Sequence, residues 1–199
     1  MLKKFLAICI ILVMSLSCIS CGKKIDSPEE VVTNYLNAIK SKDFETAKTY
    51  VMEENDQVLS EMEEEELANE MIRIFETLSF QVVSTKVNDS TATVKTTIKN
   101  IDMKPVMGDV ISELFSLAFS DLDEATLEAK QSEAFVNALE ANKDTTIETE
   151  VEIQLEKGET GWLIIPNEKL ADGITGGLLS IGEDLANSFG KESENEVSN

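Results

Sequence analysis

Residues 147–156 read IETEVEIQLE, and the alternation runs through all ten positions. A period of two puts Ile147, Thr149, Val151, Ile153 and Leu155 on one side and Glu148, Glu150, Glu152, Gln154 and Glu156 on the other. Such a segment is a strand with one buried and one wet face, the signature of an antiparallel sheet covered on one side. Downstream, KGETG at 157–161 turns the chain into WLII, Trp162–Ile165, and Pro166 ends the strand by withholding an N–H. Upstream, FQVVSTKV at 80–87, the turn NDS and TATVKTTIKNI at 91–101 read as an earlier hairpin rich in β-branched residues.

Helical signals surround the two hairpins. SPEE at 27–30 supplies Ser27 as N-cap, Pro28 at the first helical position and Glu30 to complete a capping box. Val31, Val32, Tyr35, Leu36 and Ile39 then recur at helical spacing. Asp43 caps a second, short helix in which Phe44, Ala47, Tyr50 and Val51 share a face. A third helix is expected from about Ser60 to Leu78, its EMEEEE run at 61–66 favoured near a helix N-terminus by the peptide dipoles. Between the hairpins, residues 105–141 read as two amphipathic helices, around Val106–Phe119 and Ala125–Ala141, positioned to cover the sheet's face or open end. Residues 170–189 keep a helical stripe, but Gly173, Gly176, Gly177 and Gly182 interrupt it, at a cost of about 1 kcal/mol each relative to alanine. Close packing against the domain accounts for them better than the membrane-helix reading of G-x-x-x-G.

This order of elements resembles the nuclear transport factor 2-like superfamily (the cystatin-like cone), in particular bacterial lipoproteins of unknown function that carry such a domain. The residues that carry the likeness are SPEEVVTNYLNAIKSKDFETAKTYV at 27–51, the hairpin around NDSTATVKTTI, and GETGWLIIP followed by LADGITGGLL, together spanning most of 27–181. The resemblance implies an α+β fold in which a curved antiparallel sheet wraps N-terminal helices and leaves a cone-shaped cavity. The helical insertion at about 105–141 departs from the compact form of the family. Some relatives are isomerases or dehydratases that work from a carboxylate or tyrosine in the cone, but no acid lies on the alternating apolar face to match theirs.

The N-terminal segment MLKKFLAICIILVMSLS has a short basic start and an apolar core of about a dozen residues, the build of a signal peptide and too short for a permanent span. SLSCISCGKK at 15–24 resembles the lipobox of bacterial lipoproteins, whose cysteine takes a diacylglyceryl group and becomes the new N-terminus. Cys18 and Cys21 both follow serine; the polar GKK after Cys21 favours Cys21 as the lipidation site, with Cys18 as the alternative sulfur. The expected organisation is a signal peptide at 1–20, a lipidated tether at 21–26, one domain at 27–181, and a polar, largely disordered tail at 182–199. Two acyl chains would hold such a protein stably on a membrane.

Across its 199 residues the chain carries 38 acidic and 17 basic side chains, a formal charge of −21, which excludes a phosphate-backbone partner. It contains no histidine, which removes histidine-based nucleophilic systems and the commonest zinc ligand. DLDEATLE at 121–128 begins like a calcium loop but has Ala125 at the fifth position and Thr126 where glycine is needed, and so reads as a turn and helix start. Sixteen of the basic residues are lysine and one, Arg73, is arginine, a bias that points to a low-GC Gram-positive source. The expectation is an extracytoplasmic lipoprotein on the outer face of the cytoplasmic membrane. Its domain would be a non-catalytic module for an unidentified envelope ligand or protein, without cofactor, metal or catalytic residue. The alternative is an isomerase- or hydrolase-like enzyme using a buried carboxylate, Tyr35 or Tyr50 in the cone.

Overall fold

Helix α1 (Pro28–Lys40) starts as its sequence dictates: Ser27 Oγ accepts from the Glu30 N–H at 3.3 Å, and the Glu30 carboxylate accepts from the Ser27 N–H at 2.8 Å. This is a computed structural model, and it describes residues 25–52 and 72–195, with side chains as far as residue 188. The expected signal peptide and Cys21, and the greater part of the third helix with its EMEEEE run, lie outside the described residues. Val31, Val32, Tyr35, Leu36 and Ile39 of α1 are all buried in the main core. Each aliphatic side chain so removed from water contributes about 1.5–3 kcal/mol. Helix α2 (Phe44–Lys48) is capped by Asp43, whose carboxylate accepts from the Thr46 N–H at 3.1 Å.

Four strands follow in a simple meander, β1 (Ser79–Asn88), β2 (Thr91–Ile101), β3 (Thr146–Lys157) and β4 (Trp162–Ile165), each antiparallel to the next. The alternation of 147–156 holds throughout β3: Val151, Ile153 and Leu155 are buried, Ile147 and Thr149 half-buried, and every residue between them exposed. On β2 the inward set is Ala92, Val94, Thr96, Ile98 and Asn100, all buried. Beyond β4 the chain at Tyr50–Met52 runs alongside, with the Ile164 N–H donating to the Tyr50 carbonyl at 2.8 Å and the Met52 N–H to the Ile164 carbonyl at 3.0 Å. The α+β class and the two hairpins are therefore present. Among the described residues the sheet is open, with β1 at its free edge, and these four strands do not establish the cone of the nuclear transport factor 2-like fold.

The interval between the hairpins holds α3 (Met103–Leu117) and α4 (Glu124–Asn142), which pack on each other and not across the sheet's face. They form a second core of Met103, Val106, Val110, Phe135, Ala138 and Leu139, into which Ile101 from the end of β2 and Ile74 also reach. Ile74 belongs to a 3-10 helix at Ile72–Thr77, so the described end of the expected third helix is a 3-10 helix and not an α-helix. Of the two placements expected, over the sheet's face or at its open end, the hairpin takes the one at the strand ends.

The stripe at 170–189 is split in two. Helix α5 (Glu168–Ile174) lies on the inner face of the sheet, where a Cβ at Gly173 would sit 3.5 Å from Ile98, Thr149 and Val151. It ends at Gly176 and Gly177, both with positive φ; the Gly177 N–H donates to the Asp172 carbonyl at 2.8 Å, closing the six-residue ring of a Schellman cap. The Met103 N–H donates to the Gly176 carbonyl at 2.9 Å, so this turn also joins the two cores. Helix α6 (Leu178–Asn195) then runs through most of 182–199, the segment expected to be a disordered tail. Its start is held by Asp172, whose carboxylate accepts from the Ser180 N–H at 2.9 Å and hydroxyl at 2.8 Å, and Leu178 and Ile181 pack on the second core. Local composition carried no sign of that support.

Candidate functional site

The first described residue is Ile25, at one end of the sheet. Ile25 is 57% exposed and lies against the β3–β4 turn, its Cγ2 within 3.7 Å of where a Cβ on Gly161 would be. Asp26 accepts from Asn34 Nδ2 at 3.2 Å, which fixes this entry to α1. The β1–β2 turn shares the same end, since the Lys157 N–H donates to the Ser90 carbonyl at 2.8 Å. From there β2 runs 11 residues, about 33 Å, before α3 begins. The helical hairpin therefore starts at the end of the sheet opposite Ile25.

The inner face of the sheet is apolar. Its inward positions on β2 and β3 carry no ionisable side chain, and the hydroxyls of Thr85 and Thr96 have no hydrogen-bond partner among the described residues. Tyr35 is buried in the main core, and Tyr50 packs half-buried against it. Asp89, Asp102 and Glu113 lie away from this face: Asp89 in the β1–β2 turn at φ 45°, Asp102 as the cap of α3 accepting from the Lys104 N–H at 2.9 Å, and Glu113 exposed on α3. Beside the threonines, Asn100 also reaches inward, 1% exposed, and the sequence reading missed it. Its place in the β2 alternation, two after Ile98, was the available signal.

The outer face carries charge of both signs. Lys95 meets Glu150 at 2.9 Å and Lys99 meets Glu148 at 3.3 Å across the β2–β3 pair. The hydrogen bond and charge of Lys95 hold the Glu150 carboxyl below its usual range, and Glu150 in turn raises Lys95. Both are open to solvent, so this pairing is screened and weak. An open depression of about 490 Å³ lies over these residues with Asn167 and Lys169 at its rim. A second, of about 340 Å³, runs between α3 and α4, lined by Asp109, Glu113, Lys130 and Glu133. Among the described residues no group of three or more Asp, Glu, Cys or His could hold a metal ion. The calcium-loop look-alike is a turn and helix start, Asp123 capping α4 by accepting from the Thr126 N–H at 3.0 Å.

The largest exposed apolar side chains are on the helical hairpin. Ile111, Phe115, Phe119 and Leu122 follow one another along the end of α3 and the turn, with Phe115 at 68% and Phe119 at 77% exposure. Their two rings touch edge to face, centroids 5.1 Å apart and planes at 70°. Helical periodicity alone assigns these residues inward. The visible sign was that Val106, Met107, Val110, Ile111, Leu114 and Phe115 make a stripe wider than one helical partner can cover.

No family model matches the chain, and no curated protein matches it. Among solved structures the chain is similar to YcdA of Bacillus subtilis, described as a "putative lipoprotein", at 14% identity and a TM-score of 0.41 over 75% of this chain and 46% of that one. The chain thus spans under half the length of that structure, and a likeness at this level decides neither fold nor role.

Proposed function

We propose that the protein is a lipid-anchored protein of the bacterial envelope, held through an acylated Cys21, whose domain binds or positions a partner without catalysing a reaction. The observation that carries this reading is the N-terminal sequence, in which a short apolar core ends in a serine, Cys21 and an immediately polar GKK. No helix among the described residues is long and apolar enough to cross a membrane; in this reading the acylated Cys21 holds the domain at the surface. The non-catalytic half of the reading is supported by the apolar inner face and by the absence of histidine from the sequence.

Labelling cells with an alkyne-bearing fatty acid tests the anchor. The wild-type protein and Cys18→Ala take up label and sediment with membranes, while Cys21→Ala takes up none and is released or left unprocessed. Label retained by Cys21→Ala and lost by Cys18→Ala moves the anchor to Cys18; absence of label from the wild type overturns the reading.

A further inference from the structure

We infer that the tip of the α3–α4 hairpin is a docking surface for a protein segment that presents apolar side chains flanked by lysine or arginine. The inference rests on the reading of the domain as a binding module and gives that module a surface and a class of partner. Ile111, Phe115, Phe119 and Leu122 stand exposed together, and a cluster of that kind on a soluble face marks a contact surface. Two aromatic rings held against each other are the kind of side chain that anchors interfaces.

The charge around them selects the occupant. From 109 to 128 the chain carries Asp109, Glu113, Asp121, Asp123, Glu124 and Glu128 and not one lysine or arginine. The next cation along the chain, Lys130, is engaged by Glu133 at 2.6 Å. A second copy would bring the same acids and its own charge of −21 against this rim. A bilayer fits no better: Glu113, Asp121, Asp123 and Glu124, close to the rings along the chain, would meet anionic headgroups. A basic segment neutralises the rim while covering the rings, which gives both affinity and steering.

The test uses full-length protein in phosphatidylcholine nanodiscs and, as probe, a short amphipathic peptide of leucine and lysine, with its leucine–glutamate counterpart as control. Binding of the lysine peptide is expected to weaken about tenfold or more in Phe115→Ala/Phe119→Ala, whose charge is unchanged. It should weaken similarly in Glu113→Gln/Asp121→Asn/Glu124→Gln, but not in Glu148→Gln/Glu152→Gln/Glu156→Gln, which removes the same charge from the sheet. Equal losses in both charge variants, or undiminished binding in the phenylalanine variant, overturn the proposal. Self-association in sedimentation that disappears in the phenylalanine variant, or quenching of Phe119→Trp emission by brominated lipid, assigns the tip to a second copy or to the bilayer and overturns it equally. Acyl labelling of the same preparations scores the anchor separately, so loss of label with peptide binding intact overturns the envelope reading and leaves the surface standing.

Discussion

The side-chain amide of Asn100 donates to the carbonyl of Ile174 at 2.5 Å, joining the end of β2 to the last turn of α5 across 74 residues of sequence. Its Oδ1 accepts from the Thr77 hydroxyl at 2.5 Å and from the Ile101 N–H at 2.8 Å. One buried amide thus satisfies groups on three elements at the place where the two cores meet. Asn100→Ala should cost about 3 kcal/mol in urea unfolding, because it leaves buried donors and an acceptor unpaired. Asn100→Asp cannot donate to Ile174 when ionised, and burial raises the folded-state pKa of the new carboxyl. Its stability is therefore greatest below the ordinary carboxyl range and falls as pH rises through that raised value. A pH series of melts in which the Asp variant tracks the wild type at a constant gap would contradict the assignment.

The glycines after α5 should separate by geometry. A Cβ at Gly176 would lie 2.0 Å from the Ile101 carbonyl oxygen, at φ 67°, whereas at Gly177 (φ 89°) and Gly182 nothing among the described residues lies within 4 Å. Gly176→Ala should be severely destabilised or fail to fold, since both backbone and neighbour would have to move. Gly177→Ala should lose about 1 kcal/mol through strain alone. Gly182→Ala, inside α6, should gain about 0.5–1 kcal/mol. Denaturant midpoints for the three variants check the order.

Val151 and Glu150 are neighbours on opposite faces of β3. Val151→Asp should unfold the domain, because an unpaired charge in that apolar core costs several kcal/mol. Glu150→Lys replaces a solvent-open pairing with Lys95 by a screened like-charge contact and should shift the melting midpoint by no more than a few degrees. Similar losses in the two variants would mean that the faces of the strand had been reversed.

How far the sequence reveals this fold depends on the range of the interactions involved. Ser27, Pro28 and Glu30 satisfy one another within four residues, and β3 declares its faces by alternation, so both were legible. Asn100 finds its acceptor 74 residues away, and no local pattern encodes that pairing. The glycine break between α5 and α6 was visible as composition, yet its cause, the Ile101 carbonyl lying against Gly176, exists only in three dimensions. The polar stretch after Gly182 reads as unstructured because the carboxylate that holds the helix's start belongs to Asp172, and the contacts of Leu178 and Ile181 are with the second core. Of the candidate surface, the acids around the hairpin could be counted in advance, and the width of the α3 stripe hinted that part of it would stay uncovered; that Phe115 and Phe119 are the uncovered residues is decided only by how α3 packs on α4.

The aspartate caps should make part of the stability acid-labile. Asp43 is lowered by its side-chain and backbone hydrogen bonds to Thr46, and Asp123 by its backbone and side-chain bonds to Thr126. Groups with a depressed folded-state pKa add stability above the ordinary aspartate value, and that stability is lost as pH falls through the lower one. Asn caps a helix without titrating. The wild type's advantage over Asp43→Asn/Asp123→Asn should therefore shrink or reverse between about pH 5 and about pH 2. A gap between the two melting curves that stays constant over that range would show that the caps do not couple to protonation.

The exposed rings should contribute little to folding, and this can be measured without knowing what they bind. Phe115 and Phe119 bury little surface beyond their contact with each other, and an edge-to-face pair adds only about 0.5–1.5 kcal/mol even in a favourable setting. Phe115→Ser/Phe119→Ser should consequently melt within a few degrees of the wild type and resist aggregation better. Ala138 and Leu139, which hold α4 against α3, are buried in the second core, so Leu139→Ala should lose about 2–5 kcal/mol in the same assay. If the serine pair fell as far as Leu139→Ala, the rings would be part of the core that holds the hairpin together, and their exposure would no longer mark a surface kept for a partner.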